Sequence, residues 1–155
     1  DVLEDAEGCA YENLVEDFGI KVAQIVKGVT ERRTFTEDGS IAESWHERKY
    51  EYLRNLEEAS PESLLVCAAD TTHNLQSLLQ THYMLGDGAW GNFHASIEEK
   101  LTFYENVIAI LERRLQSGIV AELRSAYSTL FLALAKEDPL GSTARAPAEV
   151  GLILF

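Results

Sequence analysis

The sequence predicts an all-α domain. Three observations carry this: apolar residues recur at three- and four-residue intervals through several stretches, serine, proline and glycine punctuate the ends of those stretches, and no strand-like alternation interrupts them. At 155 residues the chain suffices for one domain with a real core, and a 46% hydrophobic content with three prolines is that of an ordinary folded protein.

Asp1 to Asp5 is expected to end a helix or begin a turn closed by Glu7-Gly8, and in a helix Asp1, Glu4 and Asp5 share one face. The chain opens inside what reads as an element, so the start of a larger domain is expected upstream. Tyr11 to Phe18 sets Leu14, Val15 and Phe18 on one stripe and stops at Gly19; Ile20 to Val29 continues with Val22, Val26 and Val29 as its apolar face. From Thr30 to Ser44 the periodicity vanishes around an Asp38-Gly39 turn signal. Arg32 and Arg33 make this stretch either a lid that presents cations to an anionic ligand or a plain surface loop.

Ser44-Trp45-His46-Glu47 reads as a capping box that opens a helix to Ala59, with Trp45, Tyr52, Leu53 and Leu56 on its buried side. Arg48 and Lys49 fall in its first turns, against the positive end of the helix dipole. Either they serve something beyond solubility, or they pair with Glu47 or Glu51. Ser60-Pro61 caps the next helix, which is expected to run to about Tyr83. Its segment Leu64 to Ala69 is apolar on all sides, which predicts burial by neighbouring helices. Asp70, His73, Asn74 and Ser77 then form one polar seam at i, i+3, i+4, i+7, so Asp70 is expected to be a buried carboxylate at a cavity, partnered by a metal, a cation or several donors.

A glycine-rich turn, Gly86 to Gly91, precedes a helix beginning near Ala95, whose Leu101, Tyr104, Ile108, Leu111 and Leu115 make a core stripe ended by Gly118. Ile119 to Lys136 repeats the pattern with Leu123, Tyr127, Leu130 and Leu134. The apolar end of the tail, Leu152 to Phe155, could dock as a short segment or contact a second subunit, making a homo-oligomer one expectation.

A net charge of −13 argues against nucleic acid as a partner, since such binding depends on basic patches that release counterions; the acidic surface serves solubility. Cys9 and Cys67 stand far apart without metal-ligand spacing, a usage that fits a reducing cytoplasm. No apolar run approaches the roughly 20 residues of a membrane span, and no signal-peptide pattern opens the chain, so no membrane partner is expected.

Taken in order, Asp1-Val2-Leu3-Glu4-Asp5, Phe18-Gly19, Val26-Lys27-Gly28-Val29-Thr30, Trp45-His46-Glu47-Arg48-Lys49 and Ala69-Asp70-Thr71-Thr72-His73-Asn74-Leu75 resemble the HD-domain metal-dependent phosphohydrolases. The nearest branch is the hydrolase half of RelA/SpoT proteins and the small alarmone hydrolases, and the resemblance spans Asp1 to Leu115. It implies an HD-type helical bundle over 1–136 that lacks its first helices, followed by a C-terminal tail over 137–155.

The resemblance further implies a divalent metal, commonly manganese, held by Asp1 and Asp70 with two family histidines that would precede Asp1. Glu4 and Asp5 would orient and deprotonate the attacking water, Asn74 would contact the nucleotide, and Arg48 or Lys49 would meet phosphate. The implied activity is 3′-pyrophosphohydrolysis of a small-molecule nucleotide, guanosine 3′,5′-bis(diphosphate) (ppGpp). Two departures define the alternatives. Without the histidines the chain would be an inactive HD-fold remnant that keeps the nucleotide cleft. Thr71, where the family usually has a basic residue, points instead to a hydrolase of simpler nucleoside phosphates.

Overall fold

The computed structural model describes residues 11–34, 36, 41, 43–86 and 96–136. Asp1, Glu4 and Asp5, the Asp38-Gly39 turn, most of the glycine-rich turn and the 137–155 tail lie outside the described residues. Among the described residues the chain is all-α: α1 (Tyr11–Phe18), α2 (Ile20–Lys27), α3 (Trp45–Glu58), α4 (Pro61–Leu85), α5 (Ile97–Arg114) and α6 (Gly118–Lys136).

The helix starts follow from local chemistry. Ser44 and Ser96 each accept from the backbone N–H three residues on, at 3.3 and 3.1 Å, while Glu47 and Glu99 reach back to the serine N–H at 2.8 and 2.7 Å. Both are complete capping boxes, satisfying donors that the helix itself leaves open. Ser60 accepts from Ser63 N–H at 3.1 Å, and Pro61 follows at the position where its missing N–H costs nothing. Gly19, at φ 83°, breaks the chain between α1 and α2 in a conformation that a Cβ would disfavour.

The helix end of α3 is closed from afar. Arg114 donates through Nη1 to the Leu56 carbonyl at 3.1 Å and to the Glu57 carbonyl, and through Nη2 to the Ala59 carbonyl at 3.1 Å. A guanidinium thereby adds to the 3.3 Å bond that the Leu56 carbonyl accepts from Ala59 N–H and supplies donors to the Glu57 and Ala59 carbonyls at the helix end.

Helix α4 packs most extensively on α6 and also meets α2 and α5, while α3 packs on α5. Leu64, Cys67, Ala68 and Leu75 of α4 are buried against Val107, Ile108 and Leu111 of α5 and Leu123 and Leu130 of α6 in one continuous core. Where α2 ends, the approach to α4 is tight. A Cβ on Gly28 would fall 2.5 Å from Ser63 Oγ, which itself donates to the Ile25 carbonyl at 3.1 Å.

The expectation that α4 is buried on all sides is corrected. Its buried residues recur at three- and four-residue spacing on one stripe, whereas Leu65 and Val66 are 41% and 43% exposed and Asp70 is exposed. The apolar run simply holds more hydrophobic residues than its packed face uses. A second expectation also changes. Gly118–Ala135 of α6, at a mean hydropathy of 1.2, is long and apolar enough to cross a membrane by length and composition. A core helix passes the same test, and Leu123 and Leu130 of α6 are fully buried in the core, so one such helix is weak grounds for a membrane protein.

Candidate functional site

Three helices and the stretch after α2 enclose a cleft of about 240 Å³. One wall is cationic. Lys49 comes from the first turns of α3 and Arg33 from the segment following Thr30, and between them lies Glu31, only 8% exposed. Glu31 Oε1 accepts from Arg48 Nε at 2.7 Å, Oε2 accepts from Lys49 Nζ, and Arg33 Nε stands 4.0 Å from Oε1. Burial pushes the Glu31 carboxyl up, but the hydrogen bonds and charges of Lys49 and Arg48 more than reverse this and hold it below the usual carboxylate range.

This cluster answers the question of why two cations sit at the positive end of α3. They do not pair with Glu47, which belongs to the capping box, or with Glu51, which takes Arg54 at 2.6 Å. Their partner is Glu31, 17 residues before Arg48. Arg48 is further committed by Nη1 to the Glu43 carbonyl at 2.8 Å, and Glu43 accepts from Thr34 N–H at 3.1 Å. The ends of the 30–44 stretch are thereby tied to α3, with Arg33 on the cleft and Arg32 exposed.

Another part of the lining belongs to α4. Asp70 and Asn74 line the cleft one turn apart, and Asn74 Nδ2 donates to Asp70 Oδ2 at 3.0 Å, which fixes the carboxylate's orientation. Thr71 beneath them is buried, 3.9 Å from Cys67 Sγ. The third side is aromatic: Tyr52 from α3 and Phe103 and Tyr104 from α5. Lys49 Nζ lies 4.9 Å from the Phe103 ring centre and 5.9 Å from that of Tyr52, so the rings help to hold the ammonium in place. Burial, with the Asp70 charge second, pushes the Tyr104 hydroxyl up to about 12, so it stays protonated as a donor at neutral pH.

Of the residues the sequence singles out, Lys49, Asp70 and Asn74 are brought together on one cleft, while Arg48 stands behind Glu31 and does not line it. Asp1, Glu4 and Asp5 lie outside the described residues. Asp70 is corrected from a buried to an exposed carboxylate, for the one-sided packing of α4 given above. Glu31 was missed as a site residue, whereas Arg33, expected either to present a cation to an anionic ligand or to lie in a plain loop, lines the cleft. The available signal was charge: two cations at an unfavourable helix end imply a remote anion. Tyr104 packs against the core, as its stripe predicts, and also lines the cleft.

A divalent ion of the kind the resemblance implies needs several hard oxygen ligands. Asp70 has the right chemistry for one of them. Glu31 is spent on its cations, and among the described residues no three His, Cys, Asp or Glu side chains converge on a metal position.

No protein-family model matches the chain, and neither does any curated protein. Among solved structures, the all-α fold is similar to that of lmo0812 from Listeria monocytogenes EGD-e. The TM-score is 0.68 at 21% sequence identity, over 85% of this chain and 82% of that one. At that identity the likeness concerns the fold alone, and the chemistry has to come from the cleft.

Proposed function

We propose that the cleft is the substrate site of a metal-dependent phosphohydrolase acting on nucleotides, of the HD type that the sequence resembles. The observation that supports this is the placement of Lys49, Arg33, Asp70 and Asn74 on the lining of one cleft. The cations suit phosphate oxygens and the hard carboxylate suits a divalent ion. Tyr52, Phe103 and Tyr104 give an aromatic side against which a base or sugar can lie.

On this reading Asp70 and Asp1 would hold the ion, which would be manganese if the family's preference carries over. When bound, such an ion supplies a water of lowered pKa and polarises a phosphoryl oxygen. Lys49 and Arg33 bind phosphate and offset charge that builds on the leaving group. Asn74 keeps Asp70 oriented, and Glu4 and Asp5 retain their implied work on the attacking water. Nucleotide substrates of this kind are cytoplasmic, and the reading places the protein there.

The resemblance points to ppGpp, with pyrophosphate as product. A simpler nucleoside phosphate is favoured by a specific observation, the buried and uncharged Thr71 on the cleft. Product analysis separates the two. The chain is incubated with manganese and either ppGpp or a nucleoside 5′-monophosphate. Pyrophosphate from ppGpp supports the first substrate, inorganic phosphate from the monophosphate supports the second, and no turnover of either supports an inactive remnant.

A further inference from the structure

We propose that Glu31 is the specificity-determining residue of the cleft: a resident anion that makes it favour a ligand with one phosphate group over a ligand with a pyrophosphate group. The inference rests on the cleft being a phosphate site, and it goes further by saying how much negative charge that site accepts.

Among the described residues the cations that line the cleft are Arg33 and Lys49, and the anions are Glu31 and Asp70, so the lining is balanced. Arg48 offers the open side neither its Nε, which is bonded to Glu31, nor its Nη1, which is bonded to the Glu43 carbonyl, although its charge still offsets part of that of Glu31. A ligand phosphate that approaches Lys49 therefore competes with a carboxylate already bonded to it. That carboxylate is almost fully buried, so little solvent screens it from a ligand in the cleft.

Each negative charge added to the ligand is opposed by Glu31 at close range. A monoester phosphate brings about two charges near neutral pH, and a pyrophosphate group brings more. The extra charge finds no further cation among the described lining residues, since Thr71 is the neighbour beneath Asp70 and is uncharged. Size acts in the same direction. A space of about 240 Å³ lies below the roughly 300–1,000 Å³ of ordinary small-molecule pockets, which suits a compact phosphate ester.

Removing the charge of Glu31 while keeping its shape should reverse the preference. In Glu31→Gln the lining keeps two cations, Arg33 and Lys49, against one anion, Asp70, and Lys49 is released to the ligand. If Glu31 served only to position the cations, the same substitution would weaken every anion, because Lys49 and Arg48 would lose the group that orders them. The two roles thus give opposite signs.

The test is calorimetric titration of the whole chain, wild type and Glu31→Gln, with inorganic phosphate and with pyrophosphate in buffer free of divalent ions. The expected result is that wild type binds pyrophosphate no more tightly than phosphate, and that Glu31→Gln tightens pyrophosphate by about tenfold or more, the worth of one charge-assisted contact, and phosphate by less. Binding of pyrophosphate by the variant alone has the same meaning, whereas a variant that gains phosphate but not pyrophosphate overturns the proposal. Weakening of both anions, or an unchanged ratio between them, overturns the proposal. Should the variant not fold, the wild-type ratio still decides, because a wild-type preference for pyrophosphate overturns it too. Phosphate binding without any nucleotide hydrolysis would sink the enzymatic reading and leave this inference standing; absence of anion binding by both proteins removes the site and the inference together.

Discussion

Glu31 and Arg48, 17 residues apart, are joined by a 2.7 Å hydrogen bond from Nε to Oε1 that ties the stretch after α2 to the first turns of α3. The same carboxylate takes Lys49 and thereby builds the cationic wall of the cleft. One nearly buried carboxylate thus organises both a loop and a candidate binding surface.

Its pH signature follows from the direction of its shift. The folded-state carboxyl titrates below its ordinary 4.5, so its stabilisation is fully present above that value and is lost as pH falls through the lower folded-state value. Urea unfolding of wild type and Glu31→Gln should therefore differ by about 3 kcal/mol at pH 7, the cost of leaving partly buried cations without their anion. The difference should shrink below pH 4.5 as wild type itself becomes protonated. A gap that stays constant into acid would show that the ion pairs are not its source.

Arg114 should behave as the external cap of α3. Its guanidinium serves the Leu56, Glu57 and Ala59 carbonyls, so Arg114→Met should cost about 2 kcal/mol and lower Tm by roughly 4–8 °C, with Arg114→Lys recovering only part. Full rescue by lysine would mean that charge alone matters and the forked geometry does not.

The contact at Gly28 gives a steric prediction. Its φ of −67° is open to any residue, so Gly28→Ala ought to be mildly stabilising by chain entropy alone. The 2.5 Å approach to Ser63 Oγ instead predicts destabilisation of about 1–2 kcal/mol. Gly28→Ala combined with Ser63→Ala should recover stability relative to Gly28→Ala alone, and additive losses in a double-mutant cycle would rule out the clash.

Packing on α6 separates its two sides. Leu123, fully buried in the core, should lose about 3 kcal/mol on truncation to alanine, whereas Leu132, 58% exposed, should stay within about 0.5 kcal/mol of wild type. Equal losses measured by denaturant unfolding would mean that the outer side of α6 is covered in solution.

The helices were legible because their ends carry local chemistry. Ser44, Ser60 and Ser96 each cap a helix, and Gly19 breaks the chain at a positive φ; such signals need only neighbouring residues. The side of α4 that packs was not legible. Its apolar run has no period to mark one face, and only the positions of α2, α5 and α6 decide that Leu64 is buried while Leu65 is 41% exposed. At the site, Asp70 and Asn74 could be found because one turn of helix separates them. The pairing of Glu31 with Lys49 could not, because it depends on how the chain between them returns to α3, which no short-range pattern records.

The central claim is that Asp70, which lines one cleft with Lys49, belongs to a nucleotide phosphohydrolase site. Its most direct test is the manganese-dependent rate of phosphate or pyrophosphate release from nucleotide substrates by wild type and by Asp70→Asn, a variant that keeps the shape of the side chain and removes its charge. A hydrolytic role predicts turnover by wild type and a loss of about a hundredfold or more in the variant, with the fold unchanged by circular dichroism. Wild-type turnover by Asp70→Asn would contradict the account.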